Sequence, residues 1–259
     1  MIYQIKNLSF NYPNSNLLLD NVSFNVEANK SYTILGKNGV GKTTLLKCML
    51  NEINNYKGEI LLNNKNIKTL KEKELAKLVS YVPSNVDSTF DYTVFEYVLM
   101  GTASNISLFS SPSKKEYELT DNALQKLNIF DLKDRRFSTL SAGEKQKAAV
   151  ARAIVNKPSI ILFDEPCSHL DINGQIQILK IINELIESNY SIILTTHDPN
   201  HALILNNNVM LFKGSGKIEI GETKDILNEE KLQEIYGKEI KIRYLEEFKR
   251  NIIVYPSLQ

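Results

Sequence analysis

Along residues 2–10 apolar and polar side chains alternate, the pattern of a half-buried strand. Asn11-Tyr12-Pro13-Asn14 reads as a turn, and residues 22–26 as the returning strand. Residues 31–35 form an apolar, partly β-branched run. A glycine-rich loop follows it, and then a helix-like run over 43–50. Residues 58–62 and 78–82 predict further strands. The short apolar runs 160–163 and 192–195 are bounded by polar residues, which suits strands buried on both faces of a parallel sheet. Residues 208–212 and 217–220 predict a hairpin around Gly214-Ser215-Gly216.

The period changes between residues 87 and 157, where the pattern is helical. One helix is predicted over 93–100. A second covers 113–128, opened by Pro112 and by a capping box of Ser113 with Glu116. A third covers 142–155. The fold class expected is α/β: a single domain over 1–259, with a core at 1–86 and 158–259 and a helical subdomain inserted at 87–157.

Composition narrows the partners. Thirty-one Lys+Arg against 30 Asp+Glu leave a formal charge of +1, so no basic field marks nucleic acid as a partner. Two cysteines (Cys48, Cys167) and three histidines (His169, His197, His201) fit no metal-ligand spacing and no disulfide framework, and a reducing compartment is expected. Met1 leads straight into the first strand, so no signal peptide is expected, and no apolar run approaches the ~18 residues of a membrane span. The tail from Glu239 is short, so no added regulatory domain is expected.

Gly36-Lys37-Asn38-Gly39-Val40-Gly41-Lys42-Thr43 fits G-x-x-x-x-G-K-[ST] in the strand–loop–helix context that a P-loop requires. Its glycines let backbone N–H groups curl around phosphate oxygens, and the helix N-terminus adds a positive dipole end. Lys42 is then expected to reach the β- and γ-phosphates, and Thr43 to ligate Mg²⁺. A P-loop nucleotidase also needs acids at the end of a buried strand. Asp164 and Glu165 follow such a strand, Asp164 as the Mg²⁺ acid and Glu165 as general base toward the attacking water. His197 follows another strand and is placed to hydrogen-bond a γ-phosphate. Leu140-Ser141-Ala142-Gly143-Glu144 reads both as an S-x-x-E capping box and as an anion site made by the Ser141 hydroxyl and the Gly143 N–H.

Taken together and in this order, these motifs resemble the ATP-binding cassette (ABC) ATPases over essentially the whole chain. LSAGE is similar to the family's LSGGQ signature. Ser168-His169-Leu170-Asp171 is similar to its S-x-L-D loop, and His197 matches its switch histidine. The resemblance implies a P-loop NTPase (RecA-like) core with an N-terminal antiparallel β region and a helical insert. It implies ATP and Mg²⁺ as cofactors, and a nucleotide-binding set of Tyr12 (stacked on adenine), Gly36, Asn38, Gly39, Gly41, Lys42, Thr43 and Thr44. It further implies head-to-tail pairing with a second copy or a paralogous ABC ATPase. Ser141, Ala142, Gly143 and Glu144 would then act on the partner's ATP, with Asp171 in the connecting loop. Ser84 stands where the family usually has Gln beside the metal, so its hydroxyl is a possible but shorter metal ligand. Ala142 and Glu144 replace Gly and Gln.

Residues 98–104, 112–115 and 197–203 are similar to importers of iron chelates, haem, cobalamin and oxyanions such as molybdate. That resemblance implies a peripheral subunit at the cytoplasmic face of the cell membrane, driving transmembrane permeases served indirectly by a substrate-binding protein. Phe90, Tyr92 and Phe95 are expected either near the permease contact or in the core of the helical insert. An exporter subunit and a low-turnover regulatory ATP-binding module are the alternatives.

Overall fold

The computed structural model describes residues 1–87, 90–107, 110–213, 217–237 and 239–255. In chain order its elements are β1 (Tyr3–Phe10), β2 (Leu19–Val26), β3 (Ser31–Leu35), α1 (Lys42–Met49), β4 (Lys57–Leu62) and β5 (Lys65–Asn66). Then come α2 (Glu72–Leu78), β6 (Val79–Val82), α3 (Val94–Leu99), α4 (Lys114–Lys126), α5 (Ala142–Ile154), β7 (Ile160–Asp164) and α6 (Ile172–Glu187). The chain ends with β8 (Ser191–Thr196), α7 (Pro199–Leu205), β9 (Asn208–Phe212), β10 (Ile218–Glu222), α8 (Thr223–Ile226), α9 (Glu229–Tyr236), β11 (Lys241–Leu245) and β12 (Arg250–Val254). It divides into two compact units, Met1–Thr69 with Ser191–Gln259, and Leu70–Tyr190.

In the first unit β2, β1, β4 and β5 form an antiparallel sheet. The apolar positions of β1 are 3, 5, 8 and 10, which breaks strict alternation by one residue. Asn7 absorbs the extra residue at φ 50, and the pairing to β2 shifts register between Ile5 and Leu8. Opposite this bulge, a Cβ on Gly58 would lie 2.4 Å from the Asn7 carbonyl oxygen, so only glycine fits there. The unit's other sheet runs β10, β9, β3, β8. β3 is parallel to both β8 and β9, and every residue of β3 and β8 is buried, as two covered faces require. β9 and β10 form the expected hairpin, while Gly214-Ser215-Gly216 lies outside the described residues.

Beneath β9, Leu35 and Leu211 pack with Leu232 and Ile235 of α9 and with Ile253 of β12. Residues 241–254 thus form a β11–β12 hairpin docked by Ile253, whose backbone N–H also donates to Asn200 Oδ1 at 2.9 Å.

In the second unit β6 and β7 pair in parallel, with Val82 opposite Phe163. α3, α4 and α5 pack on one another around Phe137, whose ring stacks on Tyr97 at 4.1 Å. The three predicted helices occur where the caps place them. Thr93, Ser113 and Ser141 each stand at an N-cap, with Glu96, Glu116 and Glu144 reaching back. α6 was not anticipated. Asp171 caps it, and Ile178, Leu179, Ile182 and Leu185 form its buried stripe. Among the described residues no helix is long and apolar enough to cross a membrane.

Candidate functional site

Of the expected site residues, Tyr12, residues 36–44 and His197 belong to the first unit, and Ser84, residues 141–144, Asp164, Glu165 and Asp171 to the second. In the first, the buried strand β3 delivers the chain into residues 36–41, and α1 begins at Lys42. Two glycines make the turn. Gly39 sits at φ 79, and Gly41, the N-cap of α1, at φ 108. A Cβ on Gly36 would press within 2.9 Å of Phe212 Cβ, so this glycine permits the loop to leave the sheet beside β9. Lys42 is only 4% exposed, and its ammonium donates to the carbonyls of Gly36 (2.9 Å) and Lys37 (3.0 Å). The amine is thereby held inside the loop, while Lys37, Asn38, Gly39 and Thr43 form its exposed rim.

Tyr12 reaches this loop across 32 residues of sequence: its hydroxyl lies 3.3 Å from Thr44 Oγ1 in the first turn of α1. Its ring stands edge-on to Phe10 at 4.9 Å and remains 42% exposed. His197 also comes to the loop's edge of the sheet. Leu35 lies opposite Thr196 on parallel neighbours, so Gly36 and His197 emerge at the same carboxyl edge, with His197 exposed. His201 is buried, with Nδ1 3.0 Å from Thr196 Oγ1 and Nε2 facing Asp198. Burial pushes its pKa down and Asp198 opposes that, so the ring braces the turn after β8.

In the second unit Asp164 ends β7 at 2% exposure. Its Oδ2 accepts a hydrogen bond from the Tyr81 hydroxyl at 3.1 Å. Tyr81 is a functional candidate that sequence reasoning did not find. It reaches Asp164 because β6 and β7 are parallel neighbours in this register, and no local signal in the sequence states which strands are neighbours. Glu165 is half-buried, at φ 45, a left-handed conformation that a non-glycine residue adopts at a cost of about 1–3 kcal/mol. Ser84 lines a small cavity of about 130 Å³ whose polar side chains include Asp87, Lys145, Gln146 and His169. The buried Gln146 Nε2 has no hydrogen-bond partner there among the described residues, so the cavity is suited to a few waters.

The signature segment shows the expected capping box in full. Glu144 Oε2 accepts from both the Ser141 N–H and the Ser141 hydroxyl at 2.8 Å, and the Glu144 N–H returns to Ser141 Oγ at 3.3 Å. These bonds, the backbone one first, hold the Glu144 carboxyl below the usual range, and the charges of Arg135 and Lys147 add to them. Ser141, Gly143, Glu144, Lys147 and Asp171 line a cavity of about 400 Å³. A Cβ on Gly143 would meet nothing within 4 Å, so this glycine faces open space. The Asp171 carboxylate is committed to the Gly174 N–H at 2.7 Å. A separate groove of about 420 Å³ is lined by Tyr81, Asn85, Tyr97, Met100 and Arg152. Of the aromatics expected near a partner, Phe95 stacks on Tyr117, while Phe90 packs on Tyr92 and is 66% exposed.

A glycine-rich loop joining a buried parallel strand to a helix, with a lysine held inside it, defines the P-loop class of nucleotide-binding proteins. The chain belongs to the ABC transporter family, whose family model matches residues 19–168. An ABC transporter ATP-binding protein of Methanocaldococcus jannaschii is 36% identical over 257 residues, covering 99% of this chain and 98% of that one. A Helicobacter pylori protein described as an iron chelatin transport ATP-binding protein is 37% identical over 215 residues, covering 82% and 84%. A solved structure of a metal-chelate type ABC transporter in an inward-facing conformation matches with a TM-score of 0.85 at 29% identity, covering 99% of this chain and 97% of that chain. The chain is therefore an ABC-type, ATP-binding ATPase with a helical subdomain.

Proposed function

We propose that this chain is the ATP-hydrolysing subunit of an ABC importer, driving uptake of a metal-chelate-type substrate (an iron complex, haem, cobalamin or an oxyanion) through transmembrane permeases. The observation that carries the composite-site part of this reading is the open cavity at Ser141, Gly143 and Asp171. It joins a helix N-terminus to outward-facing small residues, the surface that a phosphate brought by a second copy would meet. The similarity to proteins described for iron chelatin transport and metal-chelate transport supports the substrate class, and the similarity to one described for molybdate import supports the direction. The groove beside Tyr97 and Arg152 is the proposed seat of a permease segment, and the chain would lie at the cytoplasmic face of the membrane through that partner.

In this reading Gly36, Asn38, Gly39, Gly41, Lys42, Thr43 and Thr44 bind the phosphates, and Tyr12 stacks on the base. Glu165 takes a proton from the attacking water, and His197 contacts the γ-phosphate. The Thr43 hydroxyl and the Asp164 carboxylate are hard oxygen donors of the kind Mg²⁺ prefers, and Ser84 could add a third. Bound there, Mg²⁺ would neutralise charge on the β- and γ-phosphate oxygens. Tyr81 orients the Asp164 carboxylate. Replacing Tyr81 with Phe is expected to raise the Mg²⁺ concentration for half-maximal ATP turnover about tenfold, as loss of an outer-shell partner does. A Mg²⁺ titration at saturating ATP measures it.

Uptake by vesicles carrying this chain, its permeases and a substrate-binding protein tests the function. ATP-dependent accumulation of an iron chelate or related complex is expected, and movement only in the opposite sense would replace import with export. Ser84 in place of Gln favours a second reading, a low-turnover regulatory module. Steady-state ATPase activity with the permeases present separates the two.

A further inference from the structure

The signature helix carries a contradiction. Its N-terminus is the proposed anion site, yet its first turn holds a carboxylate, and that carboxylate accepts the hydrogen bond of the very hydroxyl that should meet the phosphate. A serine has one O–H to donate, and Ser141 gives it to Glu144 Oε2. An incoming phosphate would find that donor committed and a like charge beside it.

Arg135 lies against the other oxygen. Its guanidinium Nη1 is 3.6 Å from Glu144 Oε1, and its Nη2 donates to the Thr139 carbonyl at 3.2 Å, in the turn that leads into the signature. The guanidinium is thus tethered to the loop and turned toward the acid. Arg and Glu side chains are 47% and 31% exposed, so the pair adds little to stability. Its effect is on the charge that a ligand meets. Of the other charged groups lining the cavity, Asp171 is committed to the Gly174 N–H, and Lys147 lies one turn along α5 without the tether to the loop.

We propose that Arg135 is a positioning residue for the composite ATP site: it draws the Glu144 carboxylate toward itself as nucleotide arrives, which releases the Ser141 hydroxyl to the phosphate and cancels the acid's charge. A planar guanidinium can take a carboxylate through two parallel bonds, which makes it a competent alternative partner for Glu144. The inference rests on the proposed pairing of two copies around ATP.

The test uses the full chain carrying Glu165→Gln, so that bound ATP persists, with dimer formation followed by light scattering during an ATP and Mg²⁺ titration. Arg135→Ala is expected to raise the ATP concentration for half-dimerisation about tenfold, the scale of one unbalanced charge at an interface. Adding Glu144→Gln to Arg135→Ala is expected to restore the parent value, because the charge to be neutralised is gone. Binding of a fluorescent ATP analogue to the monomer's own P-loop should not change. A merely structural role for Arg135, through Thr139, would not be rescued at position 144, and that result would overturn the inference. Unchanged dimerisation in Arg135→Ala would overturn it too. Should Arg135→Ala fail to fold, Arg135→Gln in the presence and absence of Glu144→Gln gives the same comparison. A parent chain that stays monomeric in ATP would sink the pairing itself, and this inference with it.

Discussion

Glu165→Gln is expected to leave ATP bound and almost unhydrolysed, with turnover reduced about 10³-fold, within the range for removing a positioned general base. Glu165 directly follows the buried Asp164, and its backbone at φ 45 is anchored by the Ser168 N–H donating to its carbonyl at 3.1 Å. That strained conformation is set by the strand end and the turn after it. Glutamine has the same shape and backbone preference, so the melting temperature should hold within a degree or two. What glutamine lacks is a basic oxygen able to take a proton from water at neutral pH. Binding should therefore survive and chemistry fail, so dimers should accumulate in ATP. Single-turnover hydrolysis and a thermal melt measure the two halves of this expectation. Near-parental turnover would remove Glu165 from the role of base.

Lys42→Ala should fail differently. The ammonium is buried and bonded to the Gly36 and Lys37 carbonyls. Without it those acceptors lose a donor inside the loop, which costs about 1–3 kcal/mol of stability where the group is left buried. The larger loss comes with nucleotide, because the cationic donor proposed to reach the phosphates has gone. Turnover is expected to fall at least about 10²-fold, as it does when one preorganised donor to a developing charge is removed. ATP affinity should fall with it, whereas Glu165→Gln keeps ATP bound. Calorimetric titration of the two variants with ATP separates them. Full affinity in Lys42→Ala would contradict the place given to this side chain.

Both variants lie in segments that the chain spells out contiguously, and that is why they could be chosen from sequence. The P-loop is eight consecutive residues whose glycines are needed locally. The signature cap is an S-x-x-E pair three residues apart, and the structure closes every bond of it. β3, β7 and β8 were legible because two covered faces demand unbroken apolar runs. α6 was missed although Asp171 caps it, since its first two turns carry Ile172 and Ile176 in exposed positions that blur the period. The β11–β12 hairpin was missed because few of its residues are buried, Ile253 among them.

The sequence by itself determined where the candidate chemistry lies: a glycine-rich loop between a buried strand and a helix, a pair of acids at the end of another buried strand, a histidine after a third, and a capped helix. Each depends on residues within a few positions of one another, where backbone geometry alone dictates what they can do. Only the tertiary structure decided that Tyr81 holds Asp164, that Tyr12 lies against Thr44, and that Arg135 faces Glu144. Those contacts depend on strand neighbours and loop paths. These are settled by burying apolar surface from distant parts of the chain at once, and no local pattern encodes the outcome.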